Sequence, residues 1–155
     1  MTNEELRALV ADLAAKPDVW RPHVRHVADA RTYELLLHDD DVMAWVISWM
    51  DDHDTGWHDH DTSAGAVHVV DGLICEERLR YGRPPLARIY SPGATFDFSA
   101  SDIHRVSHAG GGPAVTIHAY SPPLWRMGAY EIDTDGGLRR HSLSYAEELR
   151  PLVTA

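Results

Sequence analysis

The sequence predicts an all-β fold, an antiparallel β-barrel with a helix at each end. Helical spacing of apolar residues occurs only near the two termini, whereas the chain between them breaks into short segments of strand composition separated by turn residues. Such segments, at short intervals, are typical of barrels and sandwiches. The chain of 155 residues is long enough to bury a core, so we expect one domain over 1–155 with the barrel at about 31–143.

The first predicted element is an N-terminal helix in the segment 2–16. Thr2 and Glu5 have the spacing of a capping box, in which each side chain binds the other residue's backbone N–H. Pro17 follows Lys16 and stops the helical pattern. The apolar residues at helical spacing are Leu6, Leu9, Val10 and Leu13.

Six runs of strand composition come next, and a short helix is predicted after them. Asp71 and Gly72 separate two of the runs and suit the tight turn of a hairpin. Ser144 and Glu147 repeat the capping-box spacing, which predicts a C-terminal helix through Leu149. The six runs are 42–49, 66–70, 73–79, 114–120, 127–132 and 138–143.

Composition limits the partners and the compartment that we expect. Acidic residues number 24 against 14 basic ones, for a formal charge of −10, so nucleic acid and anionic membranes are poor partners. Cys75 is the single cysteine, and no internal disulfide can form. The N-terminus lacks the basic and apolar regions of a signal peptide. We therefore expect a cytoplasmic protein. Its oligomeric state is expected to be a monomer or a homodimer.

Three histidines form the candidate metal site. His58 and His60 are two residues apart, so both side chains point the same way if this stretch is extended. His104 would supply a third ligand from a distant segment. Three neutral imidazoles leave coordination positions open, which suits redox iron that must hold both a substrate and O2. The pattern therefore indicates oxidation chemistry.

The spacing of these histidines resembles the two motifs of the cupin superfamily, whose fold is an antiparallel β-barrel of the jelly-roll type. His58 and His60 match the first motif, and His104 matches the second. Gly65 stands where the first motif carries a glutamate. Loss of that carboxylate leaves a three-histidine site that keeps the full charge of a divalent metal.

Within the cupins, the chain resembles the cysteine dioxygenase family of thiol dioxygenases over roughly 33–130. The sharpest match is the run 114–123, with His104-Arg105-Val106 at the expected distance before it. The resemblance implies a mononuclear Fe(2+) bound by His58, His60 and His104. It also implies that a small thiol is oxidised to its sulfinic acid with both atoms of O2.

A polar line on one predicted strand matches the catalytic line of that family. Thr116, His118 and Tyr120 share one strand face, so a hydroxyl, an imidazole and a phenol line up. Thr116 can fix the ring of His118, which orients the hydroxyl of Tyr120 towards the substrate or O2. The alternative interpretation is a buried polar ladder whose members only satisfy one another.

The residues that bind the substrate are less directly indicated. Family members of the mammalian type have a cysteine at the position of Gly65, joined to the tyrosine by a thioether, so Tyr120 is expected to stay a free phenol. Cysteine-using members hold the substrate carboxylate with an arginine two residues after a tyrosine. If Tyr33 is that tyrosine, Leu35 occupies the arginine position.

A buried carboxylate still needs a cation, because an unpaired buried charge is costly. Arg126, six residues after Tyr120, is the candidate, and Arg31 is the second one. The alternative is that Arg126 lies on the rim and binds nothing. If neither arginine reaches the site, we expect a thiol that carries no carboxylate near its sulfur or one that is not free cysteine.

Two other functions remain open on the sequence alone. A three-histidine cupin could be an oxygenase of a non-thiol such as a diketone. It could also be a non-catalytic cupin that binds a metal or a small ligand.

Overall fold

The computed structural model describes residues 1–152, and its helices lie at the N-terminus. They are α1 (Asn3–Ala14), α2 (Pro17–Trp20) and a short 3-10 helix (Arg21–His23). The capping box of Thr2 and Glu5 is present, which confirms the first predicted helix. Within the described part of the chain, no helix is both long enough and apolar enough to cross a membrane.

Strands make up most of the rest of the described chain, as predicted. All six predicted runs are strands, and further strands lie at 32–38, 58–59, 83–90, 95–98 and 104–108. In chain order they are β1 (Thr32–His38), β2 (Met43–Trp49), β3 (His58–Asp59), β4 (Ala64–Asp71), β5 (Ile74–Arg80), β6 (Arg83–Tyr90), β7 (Thr95–Phe98), β8 (His104–His108), β9 (Ala114–Ser121), β10 (Arg126–Ile132) and β11 (Leu138–Ser144).

The strands form two sheets in which every pairing is antiparallel. One sheet has the order β1-β2-β9-β4-β7 and the other has the order β11-β10-β3-β8-β5-β6. The predicted jelly roll is confirmed, but the two sheets do not join into a closed barrel. An apolar cluster lies between them, with Val67 and Phe98 from the first sheet and Met127 and Ala129 from the second.

Helix α1 covers the outer face of the five-stranded sheet. Leu6 and Val10 pack there against Ile117 and Ala119 of β9. Because side chains alternate along a strand, the even-numbered positions 116, 118 and 120 point instead into the space between the sheets. Every residue of β9 is buried, which is expected of a strand that is covered on both faces.

The prediction of a C-terminal helix is wrong. After β11 the chain makes a single turn, in which the N–H of Ser144 donates to the Glu147 carboxylate, and then continues without regular structure. The backbone of this segment instead binds other parts of the protein. The N–H of Tyr145 donates to the carbonyl of Trp125, and the carbonyl of Leu149 accepts from the side chain of Arg31. These contacts draw residues 145–152, here the C-terminal segment, against the body of the protein.

Candidate metal centre

The fold brings the three histidines together. His58 lies on β3 and faces His104, the first residue of β8, across an antiparallel pair. His60 follows directly after β3. One ring nitrogen of each lies within 4.8 Å of the others, and all three side chains are buried.

Hydrogen bonds select the nitrogen that two of these rings present. The Nδ1–H of His58 donates to the carbonyl of Gly56 at 3.0 Å, and the Nδ1–H of His104 donates to a carboxylate oxygen of Glu76 at 2.9 Å. The Nε2 atom of each ring therefore keeps its lone pair. The Nε2 of His104 is buried and has no hydrogen-bond partner among residues 1–152.

The spacing of the nitrogens fits a metal ion. The Nε2 atoms of His58 and His60 are 3.2 Å apart. Two nitrogens bound at right angles to one transition metal, each about 2.1 Å from it, lie about 3 Å from one another. The close approach of two buried nitrogens and the unpartnered Nε2 of His104 are both explained by a shared cation.

Burial also keeps the rings in the form that binds metal. It holds the pKa of His58 and of His60 well below the usual histidine range, and the neighbouring imidazoles lower both pKa values further. The rings of His58 and His60 are therefore neutral at physiological pH, as metal ligands must be.

A buried aspartate anchors the short strand that carries the ligands. Asp59 points away from the metal site, and its carboxylate accepts hydrogen bonds from the guanidinium of Arg140 and the hydroxyl of Tyr130. Burial raises the pKa of Asp59, but these hydrogen bonds outweigh burial and bring that pKa to about 2. Gly128 leaves room for the pair, since a Cβ atom there would lie 2.1 Å from the Nε of Arg140.

Glu76 is a residue of this site that the sequence analysis missed. It lies on β5, is buried, and holds both His104 and the guanidinium of Arg78, whose Nε donates to it at 3.0 Å. A signal was present in the sequence. Glu76 shares the inward parity of Ile74 on a predicted strand, and a carboxylate at an inward position calls for a partner.

The polar line on β9 forms one connected chain of hydrogen bonds. The indole N–H of Trp49 donates to the Thr116 hydroxyl at 2.8 Å. The only acceptor for the Thr116 proton among the described residues is Nε2 of His118, also at 2.8 Å. The Nδ1 of His118 consequently carries the proton that it donates to the Tyr120 hydroxyl at 3.1 Å. The proton of Tyr120 is then left to point into the cavity.

Burial keeps the last two members of this chain neutral. It lowers the pKa of His118 to about 3, with a further contribution from the charge of Arg31. It also raises the pKa of Tyr120 well above its ordinary value, although Arg31 opposes that shift. Tyr120 is therefore a protonated phenol, which can donate a hydrogen bond.

The three histidines and Tyr120 line one cavity between the sheets. Alternate residues of β2 form one wall, and Met127 and Phe98 contribute to others. The Phe98 ring stacks on His60 with a centroid distance of 4.3 Å. Most of the surface is apolar, so a bound molecule is largely removed from water. The apolar wall includes Trp45, Ile47, Trp49, Phe98, Leu124 and Met127.

The structure brings two of the three predicted substrate residues to this cavity. Arg31 and Tyr33 both line it, and the Arg31 guanidinium lies 5.0 Å from the centroid of the Trp49 ring. Arg126 does not reach it. Arg126 is the first residue of β10 and is exposed, because the next residue, Met127, takes the inward position. Leu35 is exposed on β1 and is not part of the cavity either.

Phe98 explains the glycine at position 65. Gly65 faces Tyr120 across the β4–β9 pair. A Cβ atom at Gly65 would lie 2.3 Å from the ring of Phe98. The phenylalanine therefore occupies the space of any side chain at position 65.

The C-terminal segment closes one side of the cavity. Tyr145, Glu147, Glu148 and Leu149 all line it. The capping signals of this segment predicted a helix, and no functional role was predicted for it. No local motif marks the contact, because it depends on a long-range hydrogen bond from Arg31 to the carbonyl of Leu149.

Solved structures similar to this one include a protein of the cupin superfamily and a protein with a double-stranded β-helix domain. A cupin superfamily protein from Desulfitobacterium hafniense DCB-2 has a TM-score of 0.56 at 13% identity, covering 66% of this chain and 87% of its own. A conserved protein with a double-stranded β-helix domain from Klebsiella pneumoniae has a TM-score of 0.57 at 13% identity, covering 77% and 91%. KdgF from a Halomonas species has a TM-score of 0.54 at 21% identity, covering 63% and 85%. These likenesses show the fold.

Comparison of sequences identifies the family. No match was found among curated proteins. The family model for cysteine dioxygenase type I matches residues 1–133, a range that includes the three histidines and the polar line of β9. Together with the buried three-histidine cluster, this match shows that the chain belongs to the cysteine dioxygenase type I family of metal-dependent cupin dioxygenases.

Proposed function

We propose that the protein is a non-haem Fe(II) thiol dioxygenase, which oxidises a small thiol to its sulfinic acid with O2. The observation that carries the proposal is the meeting of three buried imidazoles and one phenol in a single apolar cavity. Membership of the cysteine dioxygenase type I family supports a thiol as the substrate.

The metal would be held by His58, His60 and His104. Ferrous iron, when bound, supplies the redox chemistry that joins O2 to a thiol sulfur. Overall, the thiol and O2 combine into the sulfinic acid: sulfur loses four electrons, O2 gains them, both oxygen atoms enter the product and the thiol proton stays with it. The three neutral rings add no negative charge, so the site favours an anionic ligand such as a thiolate.

The line of Thr116, His118 and Tyr120 would position one proton donor. Thr116 fixes the His118 ring, and His118 in turn occupies one lone pair of the Tyr120 oxygen. The Tyr120 proton is thereby directed into the cavity, where it can hold a polar atom of the substrate or an oxygen atom. Since burial holds the pKa of His118 far below 7, the line does not change its charge near neutral pH.

Arg31 and Tyr33 would bind the polar end of the thiol. Arg31 is the one arginine or lysine that lines the cavity within residues 1–152, and it is held against the ring of Trp49. A substrate carboxylate in an apolar cavity needs such a partner. Arg126 lies outside and is the matched control.

The experiment measures O2 uptake and sulfinic acid by protein reloaded with Fe(II), supplied with cysteine, 3-mercaptopropionate or cysteamine. At least one thiol should drive uptake, and the variants His58→Ala and His104→Ala should lose both bound iron and uptake. We expect Arg31→Met to raise the KM of carboxylate-bearing thiols, whereas Arg126→Met should not. Uptake that persists without His58 or His104, or that is driven only by a diketone, would contradict the proposal.

A further inference from the structure

Glu148 lies beside the cation that faces the cavity. Its Oε1 atom is 3.8 Å from the Nε of Arg31, and both residues line the cavity. Its other oxygen, Oε2, accepts hydrogen bonds from the Nε and Nη2 of Arg150 at 2.8 and 2.6 Å. Arg150 thus holds one oxygen of Glu148 on the outside, and the other oxygen is left turned towards Arg31.

This pair compensates charge but does not use up the donors of Arg31. A separation of 3.8 Å is too long for a hydrogen bond. A guanidinium has five N–H donors, and within the described residues Arg31 makes one hydrogen bond, to the carbonyl of Leu149. The remaining N–H donors of Arg31 can therefore bind a ligand, although the Glu148 carboxylate already balances the positive charge of Arg31.

The pair is shielded from solvent and held in place. The Arg31 side chain is 6% exposed and the Glu148 side chain 19%, so water and salt screen their charges little. The following residue, Leu149, is buried in the apolar cluster between the sheets. Beyond it, a Cβ atom at Gly56 would lie 2.7 Å from the Cα of Pro151, so the chain packs tightly against the loop before His58.

We propose that Glu148 is a specificity-determining residue, which penalises thiols whose only charged group is a carboxylate and offers an acceptor to thiols that also carry an ammonium group. A carboxylate placed on Arg31 lies next to the like charge of Glu148. An adjacent ammonium group relieves that repulsion by pairing with Glu148. The inference rests on the proposed function, because it names what distinguishes substrates in the same cavity.

The test compares Glu148→Gln with wild type, using cysteine and 3-mercaptopropionate. Dissociation constants are measured by calorimetry on iron-loaded protein under argon, and KM values by O2 uptake. Glutamine keeps the shape and the hydrogen bond to Arg150 but removes the charge. The ratio of the 3-mercaptopropionate constant to the cysteine constant should fall about tenfold, which corresponds to about 1.4 kcal/mol.

Glu34→Gln is the matched control. It removes the same charge from an exposed position on β1 that does not line the cavity. The control should change the ratio less than about twofold, a difference of about 0.4 kcal/mol. An unchanged ratio in Glu148→Gln, or an equal change in Glu34→Gln, would overturn the proposal.

The binding measurements under argon distinguish this inference from the proposed function. A shifted binding ratio without any O2 uptake would support the role of Glu148 and contradict thiol oxidation. Uptake with an unshifted ratio would support oxidation and overturn the role of Glu148. If wild type binds neither thiol, both proposals fail.

Discussion

The Nδ1–H of His104 donates a hydrogen bond to the Oε1 atom of Glu76 across 2.9 Å, and both side chains are buried. A carboxylate in this position fixes the ring and makes its other nitrogen a stronger ligand. We therefore predict that Glu76→Gln, which keeps an acceptor but loses the charge, weakens Fe(II) binding about 10- to 100-fold. Competition with a chelator under argon measures the change.

The adjacent Glu77 supplies the control for that measurement. Its side chain points to the opposite face of β5, where it lies 3.7 Å from Arg105. Glu77→Gln should leave the affinity for Fe(II) unchanged. Equal losses of Fe(II) affinity in Glu76→Gln and Glu77→Gln would mean that Glu76 acts only through the overall charge of the protein.

Removal of one hydroxyl tests the polar line of β9. Tyr120→Phe keeps the ring in the cavity but removes the proton that His118 directs inwards. Loss of a preorganised donor at the reacting atoms typically costs about 100-fold in kcat. We expect that loss with iron content unchanged, and little change for Tyr145→Phe, which also lines the cavity. A Tyr120→Phe variant with near wild-type kcat would assign the line to a structural role.

Gly65 and Phe98 should be energetically coupled. A Cβ atom at Gly65 would lie 2.3 Å from the Phe98 ring, so Gly65→Ala forces that ring off its place against His60. Overpacking of this kind costs about 1–3 kcal/mol of unfolding free energy, measurable by urea denaturation. In a Phe98→Leu background, Gly65→Ala should lower the unfolding free energy by less, because leucine lacks the ring atoms that a Cβ at position 65 would meet. Equal costs in both backgrounds would show that the two residues are independent.

The buried imidazole of His118 makes stability depend on pH. Burial lowers its pKa to about 3, whereas an unfolded histidine titrates near 6.5, so below about pH 6.5 the unfolded chain binds a proton that the folded chain does not. Wild type should therefore lose stability relative to His118→Gln as the pH falls, by up to about 1.4 kcal/mol per pH unit. Urea denaturation of metal-free protein at pH 7.5 and 5.0 measures the difference. A gap between the two proteins that is independent of pH would contradict the assignment.

Much of the site was accessible from local patterns. The spacing of His58 and His60 and the alternation of Thr116, His118 and Tyr120 depend only on strand parity. The structure brings both histidine ligands, His118 and Tyr120 to the cavity, and Thr116 contacts His118 behind it. By the same parity, Asp59 lies between two ligands and faces away from the metal site, where it pairs with Arg140.

The rest depends on long-range contacts that no local pattern carries. Arg126 was the preferred cation because it follows Tyr120 closely, but the register of β10 turns Met127 inwards and Arg126 outwards. Arg31 reaches the cavity because the carbonyl of Leu149 and the ring of Trp49 hold it there. The same hydrogen bond to Leu149 ties down a segment whose capping signals alone predict a helix.

The most direct test of thiol dioxygenation is isotopic. Iron-loaded protein is given the thiol with the fastest O2 uptake under 18O2, and the sulfinic acid is analysed by mass spectrometry. Our account predicts a product that carries two 18O atoms, formed one for one with the O2 consumed. Incorporation of one or no 18O atom, or consumption of O2 with disulfide as the product, would contradict it.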